Sequence, residues 1–199
     1  FDVINLDENR TVLAIGDVSG KGAGAAMLMS NLQASIRTAV KIGSDLKTMI
    51  EQINDLIFDN TQAHQFITFL AGVYDHSTGQ FDYVNAGHNP PLLVRKDGTL
   101  TLLESGGLIL GALASMTYEQ ESVKLDKGDL LFLYTDGLSE AENPEGGMYD
   151  EERVEEFVKR NHEMDIGKMV ELLASEVEEF MDGMERKDDL TLLIARVKE

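Results

Sequence analysis

From Phe66 to Tyr134 the chain is cut into short apolar runs by polar turns, and this narrows its possible folds more than any other feature. Phe66–Tyr74 (FITFLAGVY) and Gln80–Asn85 (QFDYVN) flank the turn Asp75-His76-Ser77-Thr78-Gly79. Leu92–Arg95 and Thr99–Leu103 flank Lys96-Asp97-Gly98, a hairpin pattern. Glu121–Leu125 and Asp129–Tyr134 flank Asp126-Lys127-Gly128, which reads as a second hairpin. Parallel strands need long crossovers, so strands joined by turns this short form antiparallel sheet. Phe1–Leu6, Val12–Ile15 and Leu190–Val197 read as further strands.

Helical periodicity brackets these strands. Ala25, Met29, Leu32, Ile36 and Val40 share one face of a helix predicted over Ala25–Lys41. Gly43 supplies a stop and Ser44 a new N-cap. Leu46, Met49, Ile50, Ile53 and Ile57 then mark a second helix. Two more are predicted over Asp150–Arg160 and Asp165–Met181, the latter with Ile166, Met169, Val170, Leu173, Val177 and Phe180 on one face. The order of elements predicts an α+β fold, two antiparallel sheets layered with helices.

Composition bounds the rest. A chain of 199 residues, 43% hydrophobic, has room for one domain with a sizeable core. No run approaches the ~18 apolar residues of a membrane span. No signal peptide is visible and there is no cysteine, which fits a cytoplasmic protein without a disulfide framework. The net charge of −19 argues against nucleic acid as a partner, because its phosphates are repelled. The chain opens on a strand already under way. This reads as a domain, residues 1–199, cut from a longer protein with its first strand incomplete.

Chemistry concentrates where strands end. Val12–Ile15 runs into Gly16-Asp17-Val18-Ser19-Gly20-Lys21-Gly22 and then the first helix. A phosphate-binding P-loop requires G-x-x-x-x-G-K-[ST]. Here Gly16 and Gly20 are one residue too close, and Gly22 stands where the hydroxyl belongs. Two readings stay open for Asp17, a metal-binding carboxylate or a solvated turn residue. Asp136 follows LLFLYT, and Asp188-Asp189 precede the last strand, so both repeat the context of Asp17. Carboxylates that converge repel one another unless cations lie between them. Oxygen donors suit magnesium, manganese or calcium; with no cysteine and four scattered histidines, zinc does not fit.

The segments IGDVSGKGAGAAMLM, YVNAGHNPPLLV, SGGLILGAL, FLYTDGLSEA and KDDLTLLIARV occur in that order. Together they resemble the metal-dependent protein phosphatases of the PPM (type-2C-like) family, in its bacterial RsbU/SpoIIE-type branch. The resemblance covers essentially the whole chain. It implies an αββα sandwich and a serine/threonine phosphatase with two Mn²⁺ or Mg²⁺ ions. Hydroxide bridging the ions attacks phosphorus in line, and the serine oxygen leaves. By the same resemblance Asp17 bridges both ions, Val18 lends its carbonyl, Asp136 and Asp188 bind the second ion, and Asp189 orients its neighbour. Lys21 and His88 are candidates for substrate contact, although a flexible surface lysine accounts for the first as well and a structured turn accounts for the second more readily. The implied partners are a phosphorylated anti-sigma-factor antagonist and an upstream sensory domain, and a homodimer stays open.

One departure bears on activity. The family carries a GD-x-x-D stretch whose first Asp is a metal ligand, and Asp2 matches only its last Asp. The expectation is therefore an impaired first ion site and poor turnover in this chain. The alternative is a binding module that keeps the fold without the catalysis.

Overall fold

The computed structural model describes residues 1–61, 65–104 and 106–198. Ser105, which opens the SGGLILGAL segment, lies outside the described residues. In chain order the elements are β1 (Asp2–Asn5), β2 (Arg10–Val18), α1 (Ala23–Ile42), α2 (Leu46–Asn60), β3 (Ile67–Asp75) and β4 (Gln80–Ala86). There follow β5 (Leu92–Val94), β6 (Leu100–Leu102), β7 (Glu121–Lys124), β8 (Leu130–Tyr134), α3 (Asp136–Ser139), α4 (Asp150–Asn161), α5 (Ile166–Met181) and β9 (Leu192–Arg196). All the strand pairs in the two sheets are antiparallel, as the short turns predict.

Contacts divide the chain into two compact units, Phe1–His88 with Glu104–Leu125 and Asn89–Leu103 with Asp126–Glu199. The first holds a five-stranded sheet in the order β1-β2-β3-β4-β7. Along β2, Val12 and Ala14 face the helices, and alternate residues Leu13 and Ile15 are buried on the opposite face. Leu28, Leu32, Ile36 and Val40 of α1 and Met49, Ile50, Ile53 and Ile57 of α2 pack against Val12, Ala14, Phe69, Ala71 and Val84. Each such buried Leu, Ile, Val, Met or Phe side chain contributes about 1.5–3 kcal/mol.

The second unit repeats the plan with a four-stranded sheet, β6-β5-β8-β9. Val154, Phe157 and Val158 of α4 and Met169, Leu173 and Val177 of α5 pack on Leu92, Val94, Leu130, Phe132 and Tyr134.

The structure corrects several details. β7 and β8 are not a hairpin: β7 pairs with β4 in the first sheet, and β8 lies between β5 and β9 in the second. The Asp126-Lys127-Gly128 turn is set instead by Asp129. Its buried carboxylate accepts the Asp126 and Lys96 N–H groups and pairs with Arg95 at 2.7 Å. On α1, Leu28 is the deep residue and Met29 only half-buried, because the inward positions recur every fourth residue. Asp45, not Ser44, caps α2, accepting the Thr48 N–H at 3.0 Å. In α5, Val170 faces outward. The short α3 has no counterpart in the periodicity, being a single turn.

Candidate metal centre

The residues singled out by sequence fall in both units. In the first, Asp17 is the penultimate residue of β2, half-buried, and Val18 closes the strand. The glycines around them have separate reasons. A Cβ on Gly16 would lie 2.8 Å from the Thr68 carbonyl, so only glycine lets β2 lie this close to β3. Gly20 and Gly22 adopt φ of 90° and 85°, which side chains rarely allow, and turn the chain into α1. Ser19 extends the pairing, its N–H donating to the Phe66 carbonyl and its Oγ accepting from the Phe66 N–H, both at 2.9 Å. Lys21 is exposed at the tip of this turn.

Thr68 is the register partner of Asp17 across β2 and β3. His88 is buried, and its Nδ1 lies 3.0 Å from the Thr68 hydroxyl. The Asn85 side chain bridges the turn before it, accepting the His88 N–H at 2.7 Å and donating to the His88 carbonyl at 2.9 Å.

In the second unit Asp136 and the Asp188-Asp189 pair are drawn together by backbone geometry. Thr135 donates its hydroxyl to the Asp189 carbonyl at 3.0 Å and accepts the Thr191 N–H at 3.0 Å. Gly137 lies against the same loop: a Cβ there would sit 2.4 Å from the Asp189 carbonyl. Asp188 accepts the N–H of Asp189 at 2.9 Å, and both aspartates are otherwise open to solvent.

This corner gathers negative charge. Asp136 Oδ1 is buried and has no hydrogen-bond partner among the described residues. An unsatisfied buried oxygen of this kind costs on the order of 1–3 kcal/mol, and more when charged. Glu140, one turn on, has its carboxyl raised above the usual range by desolvation and by the charges of Asp136, Asp188, Glu151 and Glu142. A divalent cation would relieve both, so Asp136 and Asp188 fit the oxygen donors such an ion takes. Among the described residues no three His, Cys, Asp or Glu side chains gather closely enough to hold an ion by themselves. Sequence reasoning missed Thr68, Asn85, Thr135 and Glu140. Only Glu140 left a trace, as an acid four residues after Asp136.

Two antiparallel sheets, each with its helices, match the fold of known PP2C domains. The SiaA-PP2C domain of Pseudomonas aeruginosa, 18% identical, superposes with a TM-score of 0.85 over 96% of this chain and 78% of that one. The crystal structure of the RsbU and RsbW domains of a Mycobacterium tuberculosis protein is 29% identical, with a TM-score of 0.80 over 100% of this chain and 54% of that one. The chain belongs to the SpoIIE family, that of stage II sporulation protein E, whose model matches residues 7–198. It is 30% identical to the phosphoserine phosphatase RsbU of Bacillus subtilis over 96% of its own length and 57% of that relative's. The chain thus spans little more than half of that relative. No helix among the described residues is long and apolar enough to cross a membrane.

Proposed function

We propose that this chain is the catalytic part of a metal-dependent serine phosphatase that hydrolyses phosphoserine on a regulatory protein of the anti-sigma-factor-antagonist type. The observation that carries the reading is the buried Asp136 oxygen, without a hydrogen-bond partner among the described residues, in an acidic corner with Asp188 and in a chain similar to a phosphoserine phosphatase. Asp17, the Val18 carbonyl, Asp136 and Asp188 hold Mn²⁺ or Mg²⁺, and Asp189 orients Asp188. Divalent ions bound there supply hydroxide near neutral pH and offset charge on the transferring phosphoryl oxygens. Lys21, exposed and cationic in an acidic chain, contributes a point charge for the substrate phosphate. His88, the other residue the sequence singles out for substrate contact, is buried with its Nδ1 on the Thr68 hydroxyl. Signals reach the domain from an upstream sensory segment, and the protein works in the cytoplasm.

The test is phosphate release from a phosphoserine protein with and without Mn²⁺. Asp17→Ala and Asp136→Ala should each lower turnover at least ~100-fold while circular dichroism shows the fold retained. Near-full activity in either variant would refute its role. A second reading, a binding module without turnover, draws on the absence of a gathered acidic triad among the described residues. It predicts partner binding that is indifferent to Mn²⁺ and no phosphate release.

A further inference from the structure

The sheet face that carries Asp17 is apolar along most of its length, with Leu13, Ile15 and Leu70 buried on it. Polar side chains on this face gather toward the Asp17 end. Thr68 is paired with Asp17, and Asn85 with Leu70, two residues further along β3. Asn85 and His88 are only 4% and 5% exposed. Burying such groups is unfavourable unless hydrogen bonds compensate, so their arrangement calls for a reason.

The bonds form a chain that ends beside Asp17. Asn85 fixes the His88 backbone through both its N–H and its carbonyl. Gly87 makes this turn with φ of 70°, and a Cβ there would strike the Ile109 side chain at 2.5 Å. The loop so held returns the His88 ring to β3, where Nδ1 meets Thr68 Oγ1. A threonine side chain has few χ1 wells, and this bond selects the one that turns Oγ1 to the ring. Register partners on one face of a sheet have Cβ atoms about 4.5–5.5 Å apart. The Thr68 side chain, fixed in this way, is the cross-strand neighbour of Asp17 on the same face of the sheet.

We propose that His88 is a positioning residue for the Asp17 carboxylate, acting through its Nδ1 on Thr68 rather than on substrate. The proposal rests on the reading of Asp17 as a metal ligand. The role belongs to one ring nitrogen, and that makes it separable from the alternatives. An asparagine amide can occupy the place of Nδ1, whereas a glutamine amide reaches the place of Nε2.

Titration calorimetry with Mn²⁺ on the wild-type chain and its variants tests this, with thermal melts in EDTA reporting the fold alone. His88→Gln and Thr68→Val should weaken Mn²⁺ binding about tenfold. His88→Asn and Thr68→Ser should stay within about threefold of wild type. The double variant His88→Gln/Thr68→Val should bind no more weakly than either single one, because both break the same link. Retention by glutamine alone, or equal loss with both amides, overturns the Nδ1 role. So does unchanged affinity in His88→Gln and Thr68→Val, or weakening fully matched by a fall in melting temperature. If wild-type chain binds no Mn²⁺, the Asp17 assignment fails and takes this proposal with it. Binding by wild type with indifferent variants removes only the proposal.

Discussion

Gly137 shows how a residue with no side chain can decide a carboxylate's position. Any Cβ there meets the Asp189 carbonyl at 2.4 Å, well inside contact, and the atom struck is backbone and cannot swing away. Gly137→Ala should push the Asp188-Asp189 loop off the end of β8 and cost about 1–3 kcal/mol as an overpacking change. Mn²⁺ affinity should fall in parallel, checked by calorimetry beside urea melts. Unchanged affinity would mean that the loop does not help place a ligand. None of this was legible in the sequence beyond a glycine after an aspartate, because the constraint comes from a loop more than fifty residues away. The aspartates themselves were legible, since each ends an apolar strand. Thr68 was not, because strand register has no local signature.

The four longer helices were read correctly from their period, and the errors lie in what fills each turn. α1 buries Leu28, Leu32, Ile36 and Val40, and it starts directly after the Gly20–Gly22 turn that follows Asp17. Leu28→Ala should cost ~2–5 kcal/mol, and the exposed Met27→Ala less than ~0.5 kcal/mol. Arg37 on the same helix holds the buried Asp2 carboxylate of β1 through two bonds of 2.7 and 2.8 Å. A helix pinned at one end and joined to Asp17 at the other suits an upstream regulator that acts by shifting it. Substitutions along its packed face should then change Mn²⁺ affinity or turnover out of proportion to stability. Activity that simply follows stability across the series would leave core packing as the whole account. The mistaken β7–β8 hairpin has the same origin as the missed Thr68: the turn signal was real, and Asp129 holds that turn, but strand pairing has no local signature.

Across the whole molecule, each unit buries a tyrosine whose ionisation opposes folding. Tyr118, whose hydroxyl donates to Asn54 at 3.1 Å, is pushed up to about 12 by desolvation and then by the charges of Asp55 and Glu51. Tyr134 is likewise raised to about 12, by desolvation first and Glu151 next. In the unfolded chain both ionise near the ordinary tyrosine value of 10.0. Their contribution is complete below that pH and is lost as pH rises toward 12. Melting temperature should therefore drop between pH 10 and 12, and less steeply in Tyr118→Phe and Tyr134→Phe. A pH-independent melting temperature across that window would contradict the burial of both hydroxyls. The β1–β2 ladder also works as a measuring scale that runs beyond Phe1. Asp2 stands opposite Ala14, and each step back along β1 is a step forward along β2. A residue three places ahead of Asp2, on a continued ladder, is therefore aligned with Asp17. Three is an odd number of steps, so its side chain leaves the face on which Asp2 meets Arg37 and joins the face of Asp17. An acidic residue carried at that place by a longer chain lies where a second carboxylate would share the ion of the first. Such a chain should bind Mn²⁺ more tightly than residues 1–199 alone, and its Asp→Asn variant at that place should return to the affinity of residues 1–199.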